Sequence, residues 1–216
     1  MATNKIYSVK YRRKNELRTD YKKRLKLLAS HRTRIVIRSF SRSVLIQAVD
    51  FSEKGDKIVA TLNSNELKNY GWPTLNANIP SAYLTGLLFG KKYSKSLKEP
   101  IIDLGPKRLT NRSKLSSAIK GISDGGIKIK FDEKILPTNE DINGTTISKY
   151  AQTLSKNKNA YEKQFSLYLK SNIKPEELPK IFENTKNKIL GKWNKETEKK
   201  QKQVEENKNP KELKLF

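Results

Sequence analysis

Eight of the ten arginines fall within the first 42 residues, whereas the last 72 residues carry lysine as their only strong base. Arginine offers a planar fork for bidentate contacts to phosphates and base edges, while lysine supplies diffuse point charge. This asymmetry marks the amino-terminal arm as the recognition element for a polyanion. Enzymatic chemistry has few candidates beside it. His31 is the only histidine and there is no cysteine, so a thiolate nucleophile, a disulfide and a multi-histidine metal site are all ruled out. His31 itself lies in the basic arm rather than behind a core strand. Asp50, Asp103 and Asp124 form the strongest enzymatic alternative, because carboxylates at strand ends of a mixed sheet can hold two magnesium ions for nuclease chemistry. Against it, Asp103 is the only acid in the stretch from Ile101 to Lys107, and such acids commonly form turns or cap helices. The run Gly86-Leu87-Leu88-Phe89-Gly90-Lys91-Lys92 has three residues between its glycines where a phosphate-binding loop has four. It also lacks the Ser or Thr after lysine and falls within an apolar helix.

Forty-six basic against 22 acidic residues give a net charge of +24. Such an excess repels itself unless a polyanion neutralises it, and the polyanion expected is nucleic acid. Residues 1–34 carry +10, residues 35–144 carry +6 and residues 145–216 carry +8. A nearly ordinary globular middle is thus flanked by two basic extensions. Met1 to Lys14 has no apolar core of the kind a signal peptide needs, and no run approaches the roughly 18 apolar residues of a membrane span. A cytoplasmic protein with no membrane partner, small-molecule substrate or cofactor is the expectation.

The elements that must position the arm follow from periodicity. Thr19 or Asp20 can cap a short helix with Tyr21, Leu25 and Leu28 on one stripe and Lys22, Lys23, Arg24 and Lys26 on its other faces. Arg34–Phe40, Ser43–Asp50 and Lys57–Leu62 read as an antiparallel meander. A short helical segment at Asn65–Asn69 leads to the aromatic loop Tyr70-Gly71-Trp72-Pro73. Pro80 can open a helix with Tyr83, Leu84, Leu87 and Leu88 as its apolar stripe, and Gly86 and Gly90 suggest close packing of that helix on a sheet, or fraying at Gly90. A strand around Ile101, Ile102 and Leu104 precedes a second helix, on which Leu115, Ala118, Ile119 and Ile122 share a face, and a final strand is expected at Ile127–Phe131. The order predicts an α/β layered domain with a mixed sheet of about five strands and crossover helices. Expected boundaries are an arm at 1–33, the α/β core at 34–135, a helical extension at 136–190 with Tyr161, Phe165 and Tyr168 on one stripe, and a Lys-rich tail at 191–216 anchored only by Trp193.

The run Tyr11-Arg12-Arg13-Lys14-Asn15-Glu16-Leu17-Arg18-Thr19-Asp20-Tyr21 with Arg24-Leu25 closely resembles the arm of the archaeal and eukaryotic branch of the universal L-eighteen family of ribosomal proteins. Gln47-Ala48-Val49-Asp50, Tyr70-Gly71-Trp72, Ala82-Tyr83-Leu84-Thr85-Gly86-Leu87-Leu88, Ile102-Asp103-Leu104-Gly105 and Ala118-Ile119-Lys120-Gly121 follow in the family's order and spacing. Ile135-Leu136-Pro137 and Tyr161-Glu162-Lys163-Gln164-Phe165-Ser166 resemble its archaeal carboxyl-terminal extension, and coverage runs to about Leu190. The sequence departs from the family at Leu17, where glycine is usual, at Ser116-Ser117, where larger apolar residues are usual, and in the lysine tail.

The resemblance implies a structural protein of the large ribosomal subunit that binds 5S rRNA and helps seat it in the central protuberance. It implies ribonuclease-H-like layering without nuclease activity, and contacts to large-subunit rRNA and neighbouring ribosomal proteins. Folded RNA is read by fixed cations and aromatic platforms. Arg12, Arg13, Lys14, Arg18, Lys22 and Arg24 are then the expected phosphate contacts in the arm, and Tyr11, Tyr21 and Trp72 the candidate stacking platforms, with burial in the core as the alternative for each and a stack worth on the order of 1–3 kcal/mol. Arg34, Arg38 and Arg42 would extend the surface across the first hairpin, and Lys107, Arg108 and Arg112 would add a second patch. A general nucleic-acid chaperone and an adaptor whose carboxyl-terminal helices bind another protein are the non-enzymatic rivals.

Overall fold

The structure is a computed structural model that describes residues 8–73 and 77–191. The first seven residues of the arm and the tail beyond Gly191, with Trp193, lie outside the described residues. Two compact units take up the rest. One comprises the described residues of Met1–Glu66 and Leu75–Ile142, the other those of Leu67–Thr74 and Asn143–Phe216.

The first unit begins with the arm, a single-turn helix α1 (Arg12–Asn15) and the helix α2 (Tyr21–Leu28). Asp20 caps α2 by accepting from the Lys23 N–H at 3.1 Å, as its short acidic side chain favours. The expected apolar stripe of α2 faces inward only at Leu28: Leu25 is 71% exposed and Tyr21 is exposed, while Arg24 and Leu27, off the stripe, are partly covered. Strands β1 (Arg34–Ser39), β2 (Val44–Asp50) and β3 (Lys57–Asn63) form the meander. β1 and β2 pair antiparallel from Arg34 opposite Val49 to Ser39 opposite Val44, and β3 adds to β2 with a register shift between Ala48 and Val49.

Helix α3 (Ile79–Tyr93) carries the chain across the sheet. It opens on a capping box in which the Asn78 side chain accepts from Ser81 N–H and the Ser81 hydroxyl accepts from Asn78 N–H, with proline in its first turn, satisfying donors that the helix leaves open. β4 (Ile101–Asp103) then pairs parallel to β1, giving the order β3-β2-β1-β4. Helix α4 (Lys114–Asp124) starts on a second capping box between Ser113 and Ser116. Ser117 donates to the Ile79 carbonyl at 2.8 Å, so both serines have defined roles in place of larger apolar residues.

α3 and α4 pack closely on each other, and here the expectation for Gly86 and Gly90 needs correcting. A Cβ on Gly86 would lie 2.3 Å from the Ala118 carbonyl oxygen, and one on Gly121 would lie 2.2 Å from that of Tyr83. Gly90 and Gly125 face each other in the same way, with a Cβ on either within 2.6 Å of the other's Cα. The glycines therefore permit helix-on-helix contact, rather than helix on sheet, and no side chain fits between the two backbones.

The expected fifth strand is also corrected. Residues 127–131 keep the alternation, Ile127 buried and Ile129 half-buried against exposed Lys128 and Lys130, but they join no ladder. A cleft of about 580 Å³ lined by Ile101, Ile102, Lys128 and Ile129 lies beside β4. Among the described residues the sheet thus has four strands, not about five. Alternation reports which side chains face a core, not whether the backbone meets a neighbour.

The second unit is helical: α6 (Thr145–Leu154), α7 (Lys158–Gln164), α8 (Ser166–Lys170) and a further helix α9 over 178–191. The short α5 (Asn139–Asn143) precedes them in the chain. Phe165 is the hub of an aromatic cluster, with ring centroids 5.2 Å from Tyr161, 5.8 Å from Tyr168 and 6.3 Å from Tyr150. The Tyr161 hydroxyl donates to Glu176; partial burial, then that carboxylate, push its pKa up. Leu178, Phe182 and Ile189 are also buried.

Candidate nucleic-acid interface

The arm is held to the sheet by a line of alternating charges. Arg24 on α2 grips both oxygens of Asp56 with one guanidinium nitrogen, each at 2.9 Å. Asp56 Oδ2 also lies 2.9 Å from Arg34 Nη2, and Arg34 Nη1 donates to Asp103 Oδ2 at 3.0 Å. Partial burial raises the Asp56 pKa, but the hydrogen bonds and charges of Arg34 and Arg24 outweigh it and hold the carboxyl below its ordinary value. Arg34 is only 1% exposed. Its expected place on the basic surface is therefore corrected: it is a buried counter-ion, because the start of β1 is covered and the charge needs partners there.

Asp103 organises the far end of this line. One carboxylate oxygen accepts from Arg34, the other accepts from Gly105 N–H at 2.7 Å, and its backbone carbonyl accepts from Arg38 Nη1 at 3.4 Å. Gly105 stands at φ +62°, with the Arg38 guanidinium 2.9–3.0 Å from where a Cβ would be. From the arm, Lys23 Nζ donates to the Gly105 carbonyl at 3.2 Å. Around this point lies a small polar cleft of about 80 Å³ lined by Arg13, Arg18, Lys23, Arg24 and Arg38 together with Thr19, Asp20, Leu27, Asp103 and Gly105. Five cations from two parts of the first unit thus face one niche that holds two carboxylates.

The rest of the arm is exposed. Arg13 Nε donates to the Thr19 hydroxyl at 2.9 Å, and Glu16 pairs with Arg12 and Arg18 at 3.4 and 3.1 Å, exposed pairs of small energetic weight. Lys14 and Lys22 are exposed. Tyr11 is 72% exposed, and its ring centroid is 5.1 Å from that of Tyr21, at a tilt of 49°. The two rings pack against each other at the surface of the arm. Leu17 stands at φ +53°, where Arg18 N–H and Thr19 N–H both reach the Arg13 carbonyl, at 2.9 and 3.2 Å. This left-handed exit from a helical turn is one that glycine adopts without strain.

Trp72 departs from expectation: at 2% exposure it is a buried residue of the second unit, its N–H bonded to the Leu67 carbonyl, and it offers no stacking face. Arg42 is exposed at the β1–β2 turn and Arg108 is exposed. Lys107 donates to the Ser39 carbonyl and hydroxyl, tying the second patch to the end of β1. Arg112 is exposed, yet makes a bidentate pair with the buried Asp141 at 2.8 and 3.0 Å; that hydrogen bond, then the carboxylate charge, raise its pKa. Arg112 thus contributes to structure as much as to a surface.

The three aspartates considered for metal chemistry do not converge. Asp50 accepts from the Thr33 hydroxyl at 2.6 Å, Asp124 from the Tyr83 hydroxyl at 2.7 Å, and Asp103 from Arg34 and Gly105. Among the described residues no three His, Cys, Asp or Glu side chains are grouped to hold a metal ion, and no helix is long and apolar enough to cross a membrane. Lys23, Asp56 and Gly105 are functional candidates that sequence reasoning missed. The signal for Gly105 was its place as the last residue of the Ile102-Asp103-Leu104-Gly105 motif.

Comparison with known proteins adds an independent line. Residues 5–100 match the family described as "Ribosomal large subunit proteins 60S L5, and 50S L18". The sequence is 40% identical to large ribosomal subunit protein uL18 of Methanococcus maripaludis, over 88% of this chain and 99% of that one. It is 38% identical to the proteins of the same name from Korarchaeum cryptofilum and Thermofilum pendens, in each case over 88% of this chain and 97% of the relative.

Proposed function

The chain belongs to the uL18 family of large ribosomal subunit proteins, and we propose that within that subunit it binds 5S ribosomal RNA through its amino-terminal arm and the adjoining sheet edge, helping to seat that RNA in the central protuberance. The family is one of structural proteins of the ribosome, not an enzyme family. The observation that carries the reading is the convergence of Arg13, Arg18, Lys23, Arg24 and Arg38 on one cleft, on an arm that also exposes the Tyr11–Tyr21 pair. Cations held in fixed positions next to an aromatic platform are what single-stranded and folded RNA require. Arg12, Lys14, Lys22, Arg42, Lys107 and Arg108 are exposed and extend the phosphate-binding surface. We also infer a ribonuclease-H-like layering, which the order β3-β2-β1-β4 and the crossing helix α3 support.

The test is competition. The purified chain, at physiological ionic strength, is offered labelled 5S rRNA and an unrelated RNA of equal length. Strong preference for 5S rRNA is expected, and equal binding of both would make the chain a general RNA chaperone instead.

A further inference from the structure

The geometry points to a discrete oxyanion site, built half by the arm and half by the sheet, which takes one backbone phosphate and thereby clamps the arm in place. This inference rests on the RNA-binding reading and deepens it. From the arm come Arg13, Arg18 and Lys23; from the sheet domain comes Arg38, lying over Gly105. The two carboxylates of the niche are already engaged. Asp103 accepts from Arg34 and from Gly105 N–H, and Asp20 accepts from Lys23 N–H as the cap of α2. They shape the floor and leave the excess of positive charge facing the cavity.

The size selects the ligand. About 80 Å³ is far below the roughly 300–1,000 Å³ of small-molecule pockets, and suits a single tetrahedral oxyanion group rather than a base or a nucleotide. Guanidinium groups bind such a group through charge-assisted, often bidentate hydrogen bonds. Gly105 is part of the design: with no side chain and φ +62° it lets the Arg38 guanidinium lie against the backbone that Lys23 also contacts. Because neither half of the niche is complete alone, filling it must favour the docked arm over any other arrangement.

The experiment is a double-mutant cycle in the full-length chain, with Arg13→Gln in the arm and Arg38→Gln in the sheet, read against 5S rRNA over a range of salt concentrations. Each single variant should weaken binding by roughly tenfold and lower the log–log salt slope by about 0.7–0.9, the share of one phosphate. The double variant should lose little more than either single one, because both arginines serve one group. A slope loss twice that of the single variants would assign the arginines to separate phosphates and overturn the shared site. Wild-type chain that selects 5S rRNA while Arg38→Gln leaves affinity and slope unchanged would overturn the site and leave the RNA-binding reading standing. A second measurement holds even if 5S rRNA is not selected: inorganic phosphate, added at constant ionic strength, should shift the amide resonances of Lys23 and Gly105 in wild type and not in Arg38→Gln. Absence of that shift in wild type counts against the site. Arg13 lies on the exposed arm, so its variant reports on the niche even if Arg38→Gln perturbs the fold.

Discussion

Arg34 Nη1 and Asp103 Oδ2 lie 3.0 Å apart in the covered part of the sheet, and this pair makes one of the three carboxylates considered for nuclease chemistry a structural counter-ion. Asp103 also fixes Gly105 and, through its carbonyl, Arg38. Loss of its carboxylate should therefore be felt twice, at Arg34 and at Gly105 N–H.

Asp103→Ala leaves the Arg34 charge buried with only Asp56 beside it. Breaking a buried pair in this way costs about 3–5 kcal/mol, so the melting temperature should fall sharply. Asp103→Asn keeps the shape and the acceptor for Gly105 N–H, and should lose less. Equal melting temperatures for wild type and Asp103→Ala would contradict the role assigned to this ion pair.

Gly121→Ala puts a methyl group 2.2 Å from the Tyr83 carbonyl oxygen. Backbone cannot move aside as a flexible side chain can, so the helix pair must separate. A loss of about 1–3 kcal/mol or more is expected by denaturant unfolding, although alanine has the better helix propensity. Stabilisation by this change would mean that the two helices are not in backbone contact.

Leu17→Gly should tighten the arm. It relieves about 1–2 kcal/mol of left-handed strain at φ +53°, partly offset by the added freedom of glycine in the open arm. Hydrogen exchange at the Arg18 and Thr19 amides, both bonded to the Arg13 carbonyl, should slow. Faster exchange would show that the turn is not what holds these amides.

Much of this was legible beforehand, and what was not has identifiable causes. The meander, β4 and both long helices follow from apolar periodicity, and the basic arm follows from charge. Residues 127–131 misled because their alternation reflects burial of Ile127 and Ile129 without a paired backbone. Gly86 and Gly90 marked a close approach correctly but could not say to what, since the partner glycines Gly121 and Gly125 lie more than 30 positions away. In sequence Arg34 reads as part of a basic hairpin surface and Trp72 as either a stacking platform or a core residue, and neither spacing nor residue type decides between exposure and burial. Only the tertiary structure shows that Arg34 meets two aspartates and that Trp72 is buried in the second unit.

Acid should loosen the attachment of the arm. The Asp56 carboxyl has a folded pKa below its ordinary 3.8, so its contribution to stability is complete above that value and is lost as pH falls through the lower, folded one. The melting-temperature deficit of Asp56→Asn relative to wild type should therefore be present at pH 5–7 and vanish at the acid end. A deficit that stays constant down to the lowest pH would show that the ion pairs with Arg24 and Arg34 are not its source.

The most direct test removes the part of the arm that precedes α2. In a chain lacking residues 1–18 the Arg24–Asp56–Arg34–Asp103 line is intact, so the sheet domain should retain its melting transition. Its dissociation constant for 5S rRNA should nevertheless rise by orders of magnitude, and its salt dependence should flatten as phosphate contacts are lost. A truncated chain that binds 5S rRNA as tightly as the whole, with the same salt slope, would contradict the account and move recognition away from the arm.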